Sequence, residues 1–396
     1  MVFPCSILLW GQVPILPGFE PAGAVQDTVL VGNRTFGVEE ELLLVDPDDG
    51  HPVPAGEAVF EASKERLGAD RDHQVDQEFK MEQTEIGSEI CTEAPELLAQ
   101  LTELRRAVSA AAGSAGVHPV ALATSPLKVW PQPTVNERYA RMADAFGLVA
   151  RQQLTCGQHI HVGIGSPEEG VAVLDRIRRW LPVITAMSVN SPFYQGEDTG
   201  YGSYRTVAWG MWPTAGPTQR FGDVATYHRT IDDLVTSGTA LDDAMVYFDA
   251  RLSANYPTVE IRVPDVCTDV GDSVLIAALA RALVDTAAQQ GLDQRPDPDI
   301  RVEMLRAASW RAARSGLSGH LVDPVLGRPV PAWSLVEEMV RHVEPALRAN
   351  GDLDWVGASL ERLRVSGTGA DLQRAAFAQR HLLSDVVLDA VRRTVE

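Results

Sequence analysis

The sequence predicts an α+β fold: an antiparallel or mixed sheet covered by helices, with a helical C-terminal part. Three observations predict it. Short extended stretches recur along the first two-thirds of the chain, at 35–45, 85–91, 117–123, 158–164 and 258–263. Runs with apolar residues at helical spacing lie between them and fill nearly everything from about residue 301 onward. Strands and helices do not alternate as regular βαβ units, which argues against an all-parallel sheet. With 396 residues, 45% hydrophobic and 22% charged, the chain has ample core material.

Residues 1–32 are apolar but broken by Pro4, Pro14 and Pro17, and the first basic residue is Arg34. A signal peptide needs a basic start, so this stretch reads as a loose extension ahead of a single domain at 33–396. Ala22-Gly23-Ala24 would pass as a cleavage site, which keeps secretion as the lesser reading. The stretch 92–113 has Pro95 in its first turn and apolar residues at Leu97, Leu98, Leu101, Leu104 and Val108, a helical pattern. Residues 136–151 and 168–180 read similarly. The helix at 272–290 is richly apolar, interrupted by Arg281 and Asp285. Helices follow at 301–314, 333–349, 353–364 and 370–395. The stretch "DQRPDPD" (293–299) reads as a loop between helices.

The net charge of −20 disfavours nucleic acid and anionic membrane surfaces as partners. The four cysteines, Cys5, Cys91, Cys156 and Cys267, are far apart and form no C-x-x-C, which points to a reducing, cytoplasmic compartment. No segment has the 18 uncharged apolar residues of a membrane span.

Three β segments carry paired ionisable groups. In a strand, residues i and i+2 share a face. In "TFGVEEELLLVDP" (35–47), Glu39 and Glu41 therefore point one way and Glu40 the other. In "TCGQHIHVGIG" (155–165), His159 and His161 share a face. In "PTVEIRVPD" (257–265), Glu260 and Arg262 do. Each pair alone reads more readily as a solvated strand face or an ordinary core group. Three such pairs among apolar neighbours suggest one sheet surface.

"FKMEQTEIGSEICTE" (79–93) adds Glu82 and Glu89, which a bend or bulge at Gly87 would bring to one side. Glu85 and Glu93 read as solvated. Carboxylates with a histidine suit a hard divalent cation such as Mg2+, and nearby arginines suit phosphate or carboxylate. Metal with arginine is a layout for phosphoryl transfer. The chain has no G-x-x-x-x-G-K-[ST], and "GIGSPEEG" (163–170) lacks the dinucleotide-binding spacing.

Together the motifs resemble the bacterial carboxylate–amine ligases, also called glutamate–cysteine ligase type 2. The resembling segments are "FGVEEELLLVDP" (36–47), "CGQHIHVGI" (156–164), "NSPFYQGEDTGYGSYRT" (190–206), "WPTAGP" (212–217), "VEIRVPDVC" (259–267) and "LRAASWRAARSGLSGHLVDP" (305–324). The resemblance implies a glutamine-synthetase-like curved antiparallel sheet forming a funnel, with helices packed outside. It implies ATP and Mg2+, and a reaction in which glutamate is activated as an acyl phosphate and captured by an amine such as cysteine. By similarity, Glu39, Glu41, Glu82, Glu89, His159 and Glu260 are the metal-binding positions. Arg262 would face the transferred phosphate, Arg205 would face substrate or nucleotide, and His161 would stand behind the ligands. The Gly- and Tyr-rich segment 191–204 is a candidate substrate loop, and exposed faces of the C-terminal helices leave a homodimer open.

The main rival is a zinc amidohydrolase using His159-x-His161, which would want a βα barrel and further histidines at strand ends. A non-catalytic binding protein on the same scaffold is the third reading.

Overall fold

The computed structural model describes residues 33–396, so the expected extension at 1–32 lies outside the described residues. Among the described residues eleven strands are formed: β1 (Phe36–Val45), β2 (Val75–Asp76), β3 (Gln83–Gly87), β4 (His118–Val120), β5 (Gln158–Gly163), β6 (Phe193–Tyr194), β7 (Glu197–Asp198), β8 (Ala250–Leu252), β9 (Thr258–Ile261), β10 (His320–Asp323) and β11 (Arg328–Pro331). Seven make one antiparallel sheet in the order β2-β3-β1-β5-β9-β8, with β4 paired to the C-terminal half of β1. The strand with the three glutamates is thus central. The other four form two small hairpins, β6-β7 and β10-β11.

The sheet has one face in the core. Val38 of β1, Ile160 of β5 and Ile261 of β9 align across it and pack in the main hydrophobic cluster with the helices Ala94–Ser114 and Val270–Leu292. Val270–Leu292 is buried on nearly all sides, which is why its sequence lacks a polar stripe. Helices Pro167–Ile177, Ala332–Asn350 and Leu353–Ser366 enclose it. Arg281, the interruption in that helix, is completely buried. Its guanidinium meets Asp352 at 2.5 Å, donates to the carbonyl of Thr92 and lies over the ring of Phe36. Among the described residues no helix is long and apolar enough to cross a membrane.

The structure modifies several expected elements. The helix expected at 136–151 is two, Glu137–Phe146 and Leu148–Gln152, because Gly147 breaks it with φ of 57°. The C-terminal run expected at 370–395 also divides, into Gly369–Arg380 and Leu383–Val395, where His381 takes a left-handed conformation as C-cap. The β10-β11 hairpin was not expected. Its turn is built by Asp323, whose carboxylate accepts the N–H groups of Val325 and Leu326. The bulge anticipated near Gly87 is present. Glu39 faces Gly87, but Phe36 bridges Cys91, so the β3 side carries one extra residue between the two pairings.

Of the three glutamates of β1, Glu40 is the one on the core face. It forms a bidentate pair with Arg105 of Ala94–Ser114, both contacts at 2.8 Å, and accepts the Ser273 hydroxyl at 2.6 Å. Arg105 also donates to the carbonyls of Cys267 and Thr268. Both side chains are essentially excluded from solvent. Removing one partner strands a buried charge, so Arg105→Met should cost about 3–5 kcal/mol in urea unfolding. The double variant Glu40→Leu/Arg105→Met should recover much of that loss.

Candidate active site

The alternation that sends Glu40 into the core sends Glu39 and Glu41 to the opposite face, and register extends that face into a row. Glu41 pairs with Glu85 of β3, and Glu39 with His159 of β5. His161 pairs with Glu260 of β9, and Glu260 with Arg251 of β8. Small residues occupy the remaining places, Gly87 opposite Glu39 and Gly37 opposite His161.

Three overlapping groups have ligand atoms within 4.8 Å of one another: Glu39, Glu85 and His159; Glu39, His161 and Glu260; Glu41, Glu78 and Glu85. Glu39 lies 3.5 Å from His159 Nδ1 and 3.5 Å from His161 Nε2. Thr258 holds Nδ1 of His161 at 2.9 Å. The Nε2 atoms of both histidines are buried without a hydrogen-bond partner among the described residues. Glu41 accepts the N–H of Gly157 at 2.6 Å. Glu260 is gripped by Arg251, 2.6 Å from Nε, and by Arg262. The Arg205 guanidinium donates to the carbonyls of Arg262 and Val263.

The two ends of the row differ electrically. At the Arg end, burial would raise the Glu260 carboxyl, but Arg251 and Arg262 hold it well below the usual range. Burial would likewise raise Glu39, but His161 and His159 hold it low. At the acidic end, burial and then Glu78 push Glu41 up to about 7, against Arg205, the Gly157 N–H and Arg262. Burial, then Glu39, Glu78 and Glu41, raise Glu85 well above the ordinary range. Burial and then Arg262 lower His159 to about 4, leaving a neutral imidazole able to donate a lone pair near neutral pH. Crowded carboxylate oxygens beside orphaned imidazole nitrogens fit a hard divalent cation.

Of the residues singled out from sequence, the structure brings together Glu39, Glu41, His159, Glu260, Arg262 and Arg205. It does not bring Glu82 and Glu89 to them. The Glu82 carboxylate is taken up by the backbone N–H of Gln132, and Glu89, beyond the bulge, pairs with His73 at 2.8 Å and is half-exposed. Glu85, read as solvated, stands in the row instead. Glu78 and Arg251 were not identified. For Arg251 the available signal was its place in a short A-R-L strand just before the "SANY" turn (253–256).

The family model described as "Glutamate-cysteine ligase family 2" matches residues 35–387. The chain belongs to this family. Its members include a protein of Frankia alni provisionally named glutamate–cysteine ligase 2-2, 51% identical over 374 residues, which span 92% of this chain and 97% of that one. A Streptomyces avermitilis protein provisionally named glutamate–cysteine ligase 2-1 is 48% identical over 361 residues, 91% of this chain and 99% of its own. Among solved structures, the glutamate–cysteine ligase of Francisella tularensis in complex with AMP superposes with a TM-score of 0.65 at 13% identity, covering 92% of this chain and 88% of that one. A bifunctional glutathione synthetase from Pasteurella multocida gives 0.66 at 13% identity, covering 91% of this chain and 52% of that one. At such identity the likeness is one of fold. Family membership makes the chain an ATP-dependent ligase. It sets aside the amidohydrolase reading, as does an antiparallel sheet where a βα barrel was required.

Gly157 joins the two sides of the site. Its N–H holds Glu41, and a Cβ added there would collide with the Arg205 guanidinium. Gly157→Ala is expected to lower kcat/KM by roughly 100-fold through displacement of both groups, with the melting temperature shifted by only a few degrees. Steady-state kinetics beside a thermal melt check this.

Proposed function

We propose that the chain joins the γ-carboxyl of glutamate to an amine, with L-cysteine the first candidate, at the cost of ATP, giving γ-glutamylcysteine, ADP and phosphate. One observation carries the reading: acidic and imidazole side chains line one sheet face and end against Arg251, Arg262 and Arg205. Glu39, Glu41, Glu85, His159, His161 and Glu260 would hold Mg2+, which would supply neutralisation of the phosphate charge.

The substrate carboxylate attacks the γ-phosphorus of ATP and ADP leaves; the amine then attacks the acyl carbon and phosphate leaves. Arg262 is pinned by Glu260, and Arg205 by two backbone carbonyls, so both guanidinium groups are oriented before substrate arrives. Orientation in advance is what phosphoryl transfer demands of a protein, since positioning and charge stabilisation are most of its catalysis. Both cations sit in buried surroundings, where attraction to phosphate oxygens is stronger than in water. Cys91, Cys156 and Cys267 are free and buried, in keeping with the proposed cytoplasmic setting.

The reading is tested by ADP release from ATP and Mg2+ with glutamate across a panel of amines. Turnover should require both acid and amine. ADP release with glutamate alone would instead point to capture of the activated carboxyl by water, and no ADP under any condition would reject the reading. Glu41→Gln should abolish turnover with little change in thermal melting; wild-type turnover in that variant would remove Glu41 from the site. Arg262→Ala should lower kcat by about 100-fold or more and weaken Mg2+ binding, measured by calorimetry, much less; equal losses would give Arg262 a mainly structural role.

A further inference from the structure

Asp265 is completely buried, three residues beyond Arg262. Its carboxylate accepts three hydrogen bonds from the segment that precedes Arg205. One oxygen takes the backbone N–H of Asn190 at 2.8 Å and the hydroxyl of Ser191 at 2.7 Å. The other takes the hydroxyl of Ser203 at 2.8 Å and lies 4.0 Å from Arg205 Nη1.

An ionised carboxylate only accepts, so both hydroxyls must spend their single proton on it. Each then turns a lone pair the other way. Ser191 Oγ accepts the backbone N–H of Arg205 at 3.0 Å, and Ser203 Oγ accepts that of Thr206 at 3.2 Å as the N-cap of helix Tyr204–Trp209. Asp265 thus fixes the donor direction of the Ser191 and Ser203 hydroxyls. The same strand exit supplies the Arg262 and Val263 carbonyls that hold the Arg205 guanidinium, so one short segment sets both the backbone and the head group of Arg205.

We propose that Asp265 is a positioning residue for Arg205, orienting it toward substrate phosphate through Ser191 and Ser203. The proposal rests on the reading of Arg205 as a substrate-facing group.

The test is a double-mutant cycle. Asp265→Asn keeps the shape but turns a donating amide toward at least one of the three donors. In the otherwise native protein it should lower kcat/KM for ATP by roughly 10- to 100-fold, with KM for glutamate changed less than about two-fold. In an Arg205→Ala background the same substitution should cost less than about two-fold, because the group it positions is gone. Equal losses in the two backgrounds, or matching rises in KM for both substrates, would overturn the positioning role. A wild-type-like Arg205→Ala would remove Arg205 from the reaction and overturn the proposal from the other side. If Asp265→Asn fails to fold, Ser191→Ala goes through the same cycle. It keeps the buried charge and cuts the link to the Arg205 N–H, with the same outcomes deciding.

Discussion

The buried pair between Glu40 and Arg105 governs the rest of the structure. A carboxylate with no solvent access needs a full complement of partners, and Glu40 finds them in Arg105 and Ser273. Arg105 in turn ties β1 to the 267–268 loop, so the middle strand is locked to helices and loop from widely separated parts of the chain. Side chains alternate strictly along a strand, so fixing Glu40 inward fixes Glu39 and Glu41 outward. A slip of one residue would bury the two site glutamates and expose Glu40. The orientation of the carboxylate–histidine row is settled on the opposite, core-facing side of the sheet.

The outward face is organised by charge along its length. Carboxylates gather around β1 and β3, and arginines around β8, the end of β9 and helix Tyr204–Trp209, with His159 and His161 between them. The acidic end raises the protonation of its own members through burial and mutual repulsion, while the arginines hold Glu260 ionised. Such a gradient suits a polyphosphate whose charge is met by cations of two kinds, one fixed in the protein and one bound by it.

Much of this was legible from sequence, for a physical reason. Period-two alternation is rigid within a strand, so Glu39, Glu41, His159, His161, Glu260 and Arg262 could be assigned to faces without knowing which strands are neighbours. The recurrence of three such pairs among apolar neighbours then suggests one surface. The structure places Glu82 and Glu89 away from the row because their orientation depends on a turn and a bulge rather than on alternation. Glu82 is drawn to the Gln132 N–H, and the extra residue before Cys91 delivers Glu89 to His73. Glu85 was passed over because a lone acidic residue in a strand usually faces water; only register shows Glu41 beside it. The broken helices had visible marks in Gly147 and His381, but whether a chain turns at such a residue depends on packing beyond it.

The strand order has a consequence for how the chain comes into being. β1 is made early, yet it pairs with β5, whose first residue follows its last by more than a hundred positions, and the loop and helix that receive Arg105 and Glu40 emerge later still. During synthesis the future centre of the sheet waits with its β5-facing edge open, the circumstance in which apolar strands from different molecules find each other. "FGVEEELLLV" meets that wait with three adjacent negative charges. Like charges discourage pairing with a second copy of the same segment, so Glu39, Glu40 and Glu41 would first keep the nascent strand from its own kind.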